Sequence, residues 1–253
     1  MPWDPTLYHQ FQSERSAPFE DLLGLVHIRP GLKVVDLGCG TGELTRRLAD
    51  ALPDSEVLGL DLSAEMLARA QTHARAGLRF EQGDQAALGG TWDLIFSNAA
   101  LQWSEAHDRL IPRLFGHLAP SGQIAVQVPS NHTHISHRAI LEIAAREPFR
   151  GALDGWVRLP PVLPIDEYAG LLFDAGAQDI VVFEKVYPHV LESAQAVVDW
   201  ISGTALVPYF ERLPEGLHAD FLAAILERLQ TDWPQGPVFY PFKRTLFSAV
   251  HPL

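Results

Sequence analysis

The chain has 253 residues, enough to bury a sizeable core and short enough for one large α/β domain. Its 31 acidic residues outnumber 19 Lys and Arg, for a net charge of −12, which argues against a nucleic-acid partner, because neutralising phosphates takes clustered basic residues. One cysteine excludes a disulfide framework and suits a reducing cytoplasm, and the absence of an apolar leader or membrane-length apolar run leads us to expect a protein that neither enters nor crosses a membrane.

Residues 1–18 carry Trp3, Tyr8 and Phe11 among polar neighbours, with Tyr8, Phe11 and Arg15 near one face of a helix. A second helix is expected over Phe19–Val26, stopped by Pro30-Gly31. The chain then reads LKVVDLGCGTG from Leu32 to Gly42, an apolar β-branched run closed by Gly38, Gly40 and Gly42. Such a run predicts a buried parallel strand, and the glycines predict a tight turn whose backbone can approach a ligand. Leu44, Leu48 and Leu52 recur at helical spacing, so the unit is strand, turn, helix. In open α/β sheets ligands bind beyond the carboxyl ends of the strands, where this turn lies.

The spacing selects among ligands. A dinucleotide fingerprint needs glycine where Glu43 stands, and no GK[ST] ending follows for a phosphate loop. Acids recur instead: Asp36 in the first strand, Asp61 closing the second (VLGLD) and Asp84 after the third (LRFEQGD). Singly, each reads equally as a helix cap or a solvated charge. Together, at consecutive strand ends, they suit a ligand with ribose hydroxyls, an ammonium and a sulfonium, such as S-adenosylmethionine. Asp61 stands about 20 residues past the turn, where an acid takes ribose hydroxyls.

Ser63 is placed to cap a helix bearing Met66, Leu67 and Ala70. Trp92–Ser97 reads as a fourth strand, followed by a loop of Asn98, Ala99, Leu101, Gln102 and Trp103. Asn98 offers an uncharged donor and acceptor, and Trp103 an apolar wall able to meet a sulfonium. A helix through Asp108, Leu110, Leu114 and Leu118 is expected to close at Pro120-Ser121-Gly122. Strands follow over Gln123–Val128 and Ile180–Val186, with a helix through Tyr168, Leu171 and Leu172 between them. His132, His134 and His137 lack a zinc-binding spacing, so no metal is expected, and His132 and His134 read as surface residues. Residues 147–166, rich in proline, read as a loop. Helices over about 193–202 and 215–231 precede a last strand, Phe239–Val250. These two helices read as core-facing cover or as a cap.

The stretches VVDLGCGTG, LGLDLSAEMLARA and the following GD resemble the first three motifs of class I S-adenosylmethionine-dependent methyltransferases. More of the chain (WDPTLYHQFQSERSAPFEDLL, DLIFSNAALQW, QVPSN with SHRAI, and VVDWISGTALVPYF) resembles the trans-aconitate 2-methyltransferases, which esterify a carboxylate of a small polycarboxylic acid. The resemblance implies a Rossmann-like fold with a seven-stranded, mostly parallel sheet, an antiparallel last strand and a helical cap inserted before it. It implies one domain over 1–253: a lid and helix over 1–30, a cofactor core over 31–128, and covering segments over about 129–165 and 190–238. By the same resemblance Tyr8 and Arg15 reach the cofactor or acceptor, Leu62 and Met66 flank the adenine (Met66 reads equally as core), and Asp84 meets its amino group. Asp36, Gly38, Cys39, Gly40, Asp61, Gln85, Asn98, Ala99 and Trp103 complete the cofactor set, and Gln102, Trp103, His137, Arg15 and Arg244 form the acceptor set.

The chemistry needs no catalytic residue beyond positioning. A carboxylate is nucleophilic at pH 7, so alignment and exclusion of water carry the rate. Arginine is expected at the acceptor, its fork matching a carboxylate, with Arg15, Arg138, Arg158 and Arg244 as candidates and Lys243 behind them. Each reads equally as a surface ion pair. Thr41 replaces a proline common in related sequences, and Ser16-Ala17-Pro18 lacks a second basic residue after Arg15. The alternatives are a methyltransferase for another small metabolite, a NAD-dependent oxidoreductase, and a non-catalytic nucleoside-binding module. Oligomeric state leaves no mark in the sequence.

Overall fold

A computed structural model of the chain describes residues 13–253, with side chains from Ala17 onward. The expectations for Tyr8 and the Arg15 side chain, and for a lid over the first residues, therefore lie outside the described residues.

Seven strands form one sheet: β1 (Lys33–Leu37), β2 (Glu56–Asp61), β3 (Leu78–Gln82), β4 (Trp92–Asn98), β5 (Leu118–Pro129), β6 (Gln178–Leu191) and β7 (Val238–Val250). Their order is β3-β2-β1-β4-β5-β7-β6. β1 runs parallel to β2 and β4, β2 to β3 and β4 to β5, whereas β7 is antiparallel to β5. The helices, in chain order, are α1 (Ser13–Leu23), α2 (Glu43–Ala51), α3 (Ala64–Ala70), α4 (His107–Phe115), α5 (Ile135–Ala144), α6 (Phe149–Ala152), α7 (Ile165–Asp174), α8 (Ala194–Ser202), α9 (Val207–Phe210) and α10 (His218–Gln230).

The strand order reverses beside β1, the topological switch at which this architecture opens a crevice. The sequence reading placed a single domain over 1–253, and the contacts of the chain gather into two compact units. In the larger, residues 16–130, 161–185 and 244–253, successive strand residues point to opposite faces. Val35, Leu37, Ile95, Ile124, Val126, Val128 and Phe247 pack with α4 and α7 residues on one face. Val34, Leu94, Phe96, Ala125 and Leu246 pack with Phe19, Leu22, Leu48 and Leu67 on the other. Burial on both sides explains why β1, β4 and β5 read as near-continuous apolar runs. The smaller unit, chiefly residues 131–160 and 186–243, has its own core of Phe149, Trp200, Tyr209, Phe221 and Tyr240.

Several boundaries differ from expectation. Pro120-Ser121-Gly122 does not close α4 but lies inside β5, which begins at Leu118. Ser121 takes a left-handed φ of 60°, and Gly122 is buried in the strand. The proline-rich 147–166 stretch, expected as loop, contains the short helix α6. The first described helix ends at Leu23, short of Val26. Among the described residues no helix is long and apolar enough to cross a membrane.

Candidate functional site

The glycine turn is tied down from below. The amides of Gly38 and Cys39 donate to the Leu60 carbonyl at 2.7 and 2.9 Å, and the Gly42 amide donates to Cys39 O at 3.0 Å. Gly40 N–H donates to Asp61 Oδ2 at 2.8 Å, and the other oxygen of Asp61 accepts from Ser63 N–H at 2.8 Å. Four amides of the turn, those of Gly38, Cys39, Gly40 and Gly42, are thus bonded within the protein rather than directed at a pyrophosphate.

The three glycines do different work. Gly38 (φ +74°) lies so close to the loop after β4 that a Cβ would sit 2.1 Å from Ala100 Cβ. At Gly42 (φ +79°) a Cβ would meet Ala70 and Phe80 at 2.9 Å. A Cβ on Gly40 (φ +55°) would meet nothing within 4 Å among the described residues, so of the three this is the glycine whose backbone has room beside it. The first and last close the turn by packing, while the middle one offers room for a ligand.

Asp36 is buried and accepts from Thr45 Oγ1 at 2.6 Å. Burial pushes its pKa up to about 7; the Thr45 bond works against that shift and the Asp61 charge adds to it. Cys39 is buried, and burial with the neighbouring Asp36 and Asp61 charges drives its thiol far above the ordinary range, so it is no nucleophile. Asp84 is exposed and caps the turn at Gln85–Ala87 through Ala86 N–H at 2.7 Å, while Gln85 Nε2 donates to Ser104 Oγ at 2.6 Å. Ser63 caps α3 as expected, accepting from Met66 N–H. Leu62 is 62% exposed and Met66 half-buried, an apolar ledge just past Asp61.

On the other side of the turn, Ser97 Oγ donates to Leu37 O at 2.9 Å, locking the ends of β4 and β1 together. Asn98 ends β4 with its Oδ1 buried and without a hydrogen-bond partner among the described residues. Ala99 takes a φ of 55° and donates its N–H to Gln127 O at 2.9 Å. Gln102 Nε2 donates to Ala99 O at 2.7 Å, and Trp103 is 39% exposed.

Behind this loop stands a relay that sequence reading did not find. His107 Nε2–H donates to Leu101 O at 2.9 Å, its Nδ1 accepts from the Tyr168 hydroxyl, and Tyr168 Oη accepts from Leu163 N–H at 3.3 Å. Burial holds the His107 pKa below its ordinary value, so the ring stays neutral and can serve as both donor and acceptor. The signal was present only as a lone histidine beside an apolar helix face, and its partner stands 61 residues away.

Arg244, on β7, is 6% exposed and donates from Nη1 to Gln127 Oε1 at 3.2 Å. Gln127 was not among the sequence candidates. In the smaller unit His137 is half-buried, and burial, with the fields of His132, His134 and Arg158, lowers its pKa to about 3. His132 and His134 are half-buried rather than surface residues. His134 caps α5 by accepting from Ser136 N–H, and its ring packs edge-on against Tyr240. Arg138 is exposed, Arg158 half-buried with its N–H on Tyr209 Oη, and Lys243 half-buried with its N–H on Asn131 Oδ1. Among the described residues no group of three His, Cys, Asp or Glu side chains is placed to hold a metal ion.

The crevice residues fit a cationic nucleoside better than a phosphate-bearing one. Carboxylates at β1, β2 and β3, a buried acceptor at Asn98 and an open approach at Gly40 all present negative or neutral surface.

Comparison with known proteins gives the family. A methyltransferase-domain family model matches residues 34–122. A trans-aconitate 2-methyltransferase of Deinococcus radiodurans is 50% identical over 100% of this chain and 99% of its own length. One from Paracidovorax citrulli is 42% identical over 92% of this chain and 90% of its own. Among solved structures, the YcgJ protein of a Bacillus superposes with a TM-score of 0.65 at 14% identity, covering 94% of this chain and 99% of that one. The phosphoethanolamine N-methyltransferase 2 of Haemonchus contortus, solved with S-adenosyl-L-methionine, gives 0.56 at 18% identity, over 96% and 53%. Strand order, glycine turn and full-length identity converge: the chain belongs to the trans-aconitate 2-methyltransferase family.

Proposed function

We propose that this enzyme esterifies a carboxylate of trans-aconitate with a methyl group from S-adenosylmethionine. The observation that carries the reading is the Gly40 amide bonded to the Asp61 carboxylate at the end of β2, beside the open approach at Gly40. S-Adenosylmethionine supplies an electrophilic methyl group on a sulfonium.

The chain supplies position. Asp61, held by Gly40 and Ser63 amides, keeps lone pairs for ribose hydroxyls. Leu62 and Met66 present an apolar ledge for the adenine, with Asp84 and Gln85 beside it. Cys39 and the Gly38–Gly40 backbone floor the crevice, and the buried Asp36, only partly ionised near pH 7, lies beneath it. Asn98 Oδ1 offers a buried acceptor to the ammonium, with Ala99 and Trp103 forming the wall. Tyr8 and Arg15 belong to the same proposal on sequence grounds alone. Gln102, Trp103 and Arg244 are assigned to the acceptor, and His137 and Arg15 join the assignment on sequence grounds alone. No residue need remove a proton, since the attacking oxygen is already anionic at neutral pH. Alignment in a water-poor site supplies the acceleration.

The setting proposed is cytoplasmic, with a small-molecule partner and no nucleic acid, in keeping with a net charge of −12 and a single cysteine. A methyl-transfer assay over di- and tricarboxylates tests the reading. Turnover of trans-aconitate with appearance of S-adenosylhomocysteine is expected. Turnover of neutral acceptors alone would overturn the carboxylate assignment, and tight NAD binding without S-adenosylhomocysteine binding would overturn the cofactor.

A further inference from the structure

At the carboxyl end of the sheet, Gln127 is fully buried, yet its Nε2 has no hydrogen-bond partner among the described residues. Arg244 fixes which way that amide points: the guanidinium donates to Oε1 at 3.2 Å, so the NH2 group must face away from it. An unmade hydrogen bond at a fully buried amide costs about 1–3 kcal/mol and calls for an explanation.

The register places the group. Asn98 on β4 lies opposite Gln127 on β5, and Arg244 pairs with Pro129 two residues further along β5. Alternation then sets Asn98, Gln127 and Arg244 on one face of the sheet, shared with Phe96, Ala125 and Leu246. The Gln127 amide, with no acceptor for its hydrogens among the described residues, and the buried cationic fork beside it make a donor pair for two oxygens of one anion.

We propose that Gln127 Nε2 and the Arg244 guanidinium form a carboxylate subsite. The proposal rests on the reading of the chain as a carboxylate methyltransferase. The carboxylate comes either from a non-reacting arm of the acceptor or from the amino-acid end of the methyl donor, and the two sources separate in the test.

Gln127→Glu keeps the shape, preserves an acceptor for Arg244, and places a negative charge where the anion would sit. Calorimetric titrations with S-adenosylhomocysteine alone, and with trans-aconitate at saturating S-adenosylhomocysteine, read the effect without turnover. Loss of the charge-assisted bond should weaken one of them by about 30-fold or more. Weaker trans-aconitate binding with unchanged S-adenosylhomocysteine binding assigns the subsite to the acceptor, with KM raised and kcat spared. The reverse assigns it to the donor. A folded variant with both titrations within threefold of the parent overturns the subsite. If Gln127→Glu fails to fold, Gln127→Met is the second variant, expected to lose about tenfold in the same titration, and no loss overturns the proposal. Thr245→Val is the control: its hydroxyl is also buried without a partner among the described residues, but it pairs with Val128 on the opposite face, so both affinities should hold. A parent enzyme that binds trans-aconitate yet methylates no acid would break the proposed function and leave the subsite standing.

Discussion

The carboxyl edge of the sheet has two halves of opposite character. Over β1, β2 and β3 stand Asp36, Asp61 and Asp84, and over β5 and β7 stand Gln127 and the buried Arg244. β4 lies between them and ends in the neutral Asn98. With strands about 4.8 Å apart, β1 and β7 are separated by three spacings, roughly 14 Å. A protein of net charge −12 can therefore attract a cation on one side and hold an anion on the other without the two sets of charges cancelling. The sheet keeps the opposing charges apart, and a sulfonium and a carboxylate can approach from opposite sides.

The sharpest way to break the acidic half is Gly38→Ala. Its methyl would overlap Ala100 in a left-handed backbone, and a loss of more than about 3 kcal/mol in chemical denaturation is expected. An intact fold would mean that the β1 turn and the post-β4 loop are free to part.

Asp36 gives the next largest effect, as a pH dependence. Its folded pKa of about 7 stands above the ordinary 3.8, so the folded state holds its proton more tightly. The resulting stabilisation is fully present below pH 4 and lost as pH climbs through 7, on the order of a few kcal/mol. Denaturation midpoints of the parent should fall between pH 5 and pH 8, and those of Asp36→Asn should fall less. Parallel profiles would remove the buried acid from the account.

Asp61→Asn should then lower S-adenosylhomocysteine affinity roughly 10- to 100-fold, since hydrogen bonds to a charged group are worth about 1.5–3 kcal/mol. Unchanged affinity would release the ribose from the acidic side. Gly40→Ala sharpens the contrast with Gly38: without a clash, the left-handed backbone alone should cost about 1–2 kcal/mol, while affinity drops about tenfold because the methyl intrudes on the open approach. The smallest expected effect is Tyr168→Phe, which should cost about 1–2 kcal/mol by stranding His107 Nδ1 and leave S-adenosylhomocysteine affinity alone.

The two halves also differ in how they could be read from the sequence. Strand, glycine turn and acids follow one another between Leu32 and Asp84, so local pattern was enough to place Asp36 on β1 and Asp61 at the end of β2. Asp84 was placed as well, but its use as a cap at the following turn depends on an Asx geometry that spacing alone does not distinguish. The basic half depends on an antiparallel pairing that joins residues 117 apart, so Arg244 was only one arginine among several and Gln127 went unnoticed. His134 was misplaced for a similar reason: its ring packs against Tyr240, over a hundred residues downstream, whereas the half-buried His132 packs against the nearby His137. Pro120-Ser121-Gly122 misled because turn-forming residues usually end elements, whereas here an irregular strand start absorbs them.

The His107–Tyr168 couple carries an evolutionary consequence. It joins two stretches of chain 61 residues apart through one imidazole and one phenol. A descendant that replaced either ring would strand the other, so the two positions should change together or not at all across the family, and a relative lacking one should lack both.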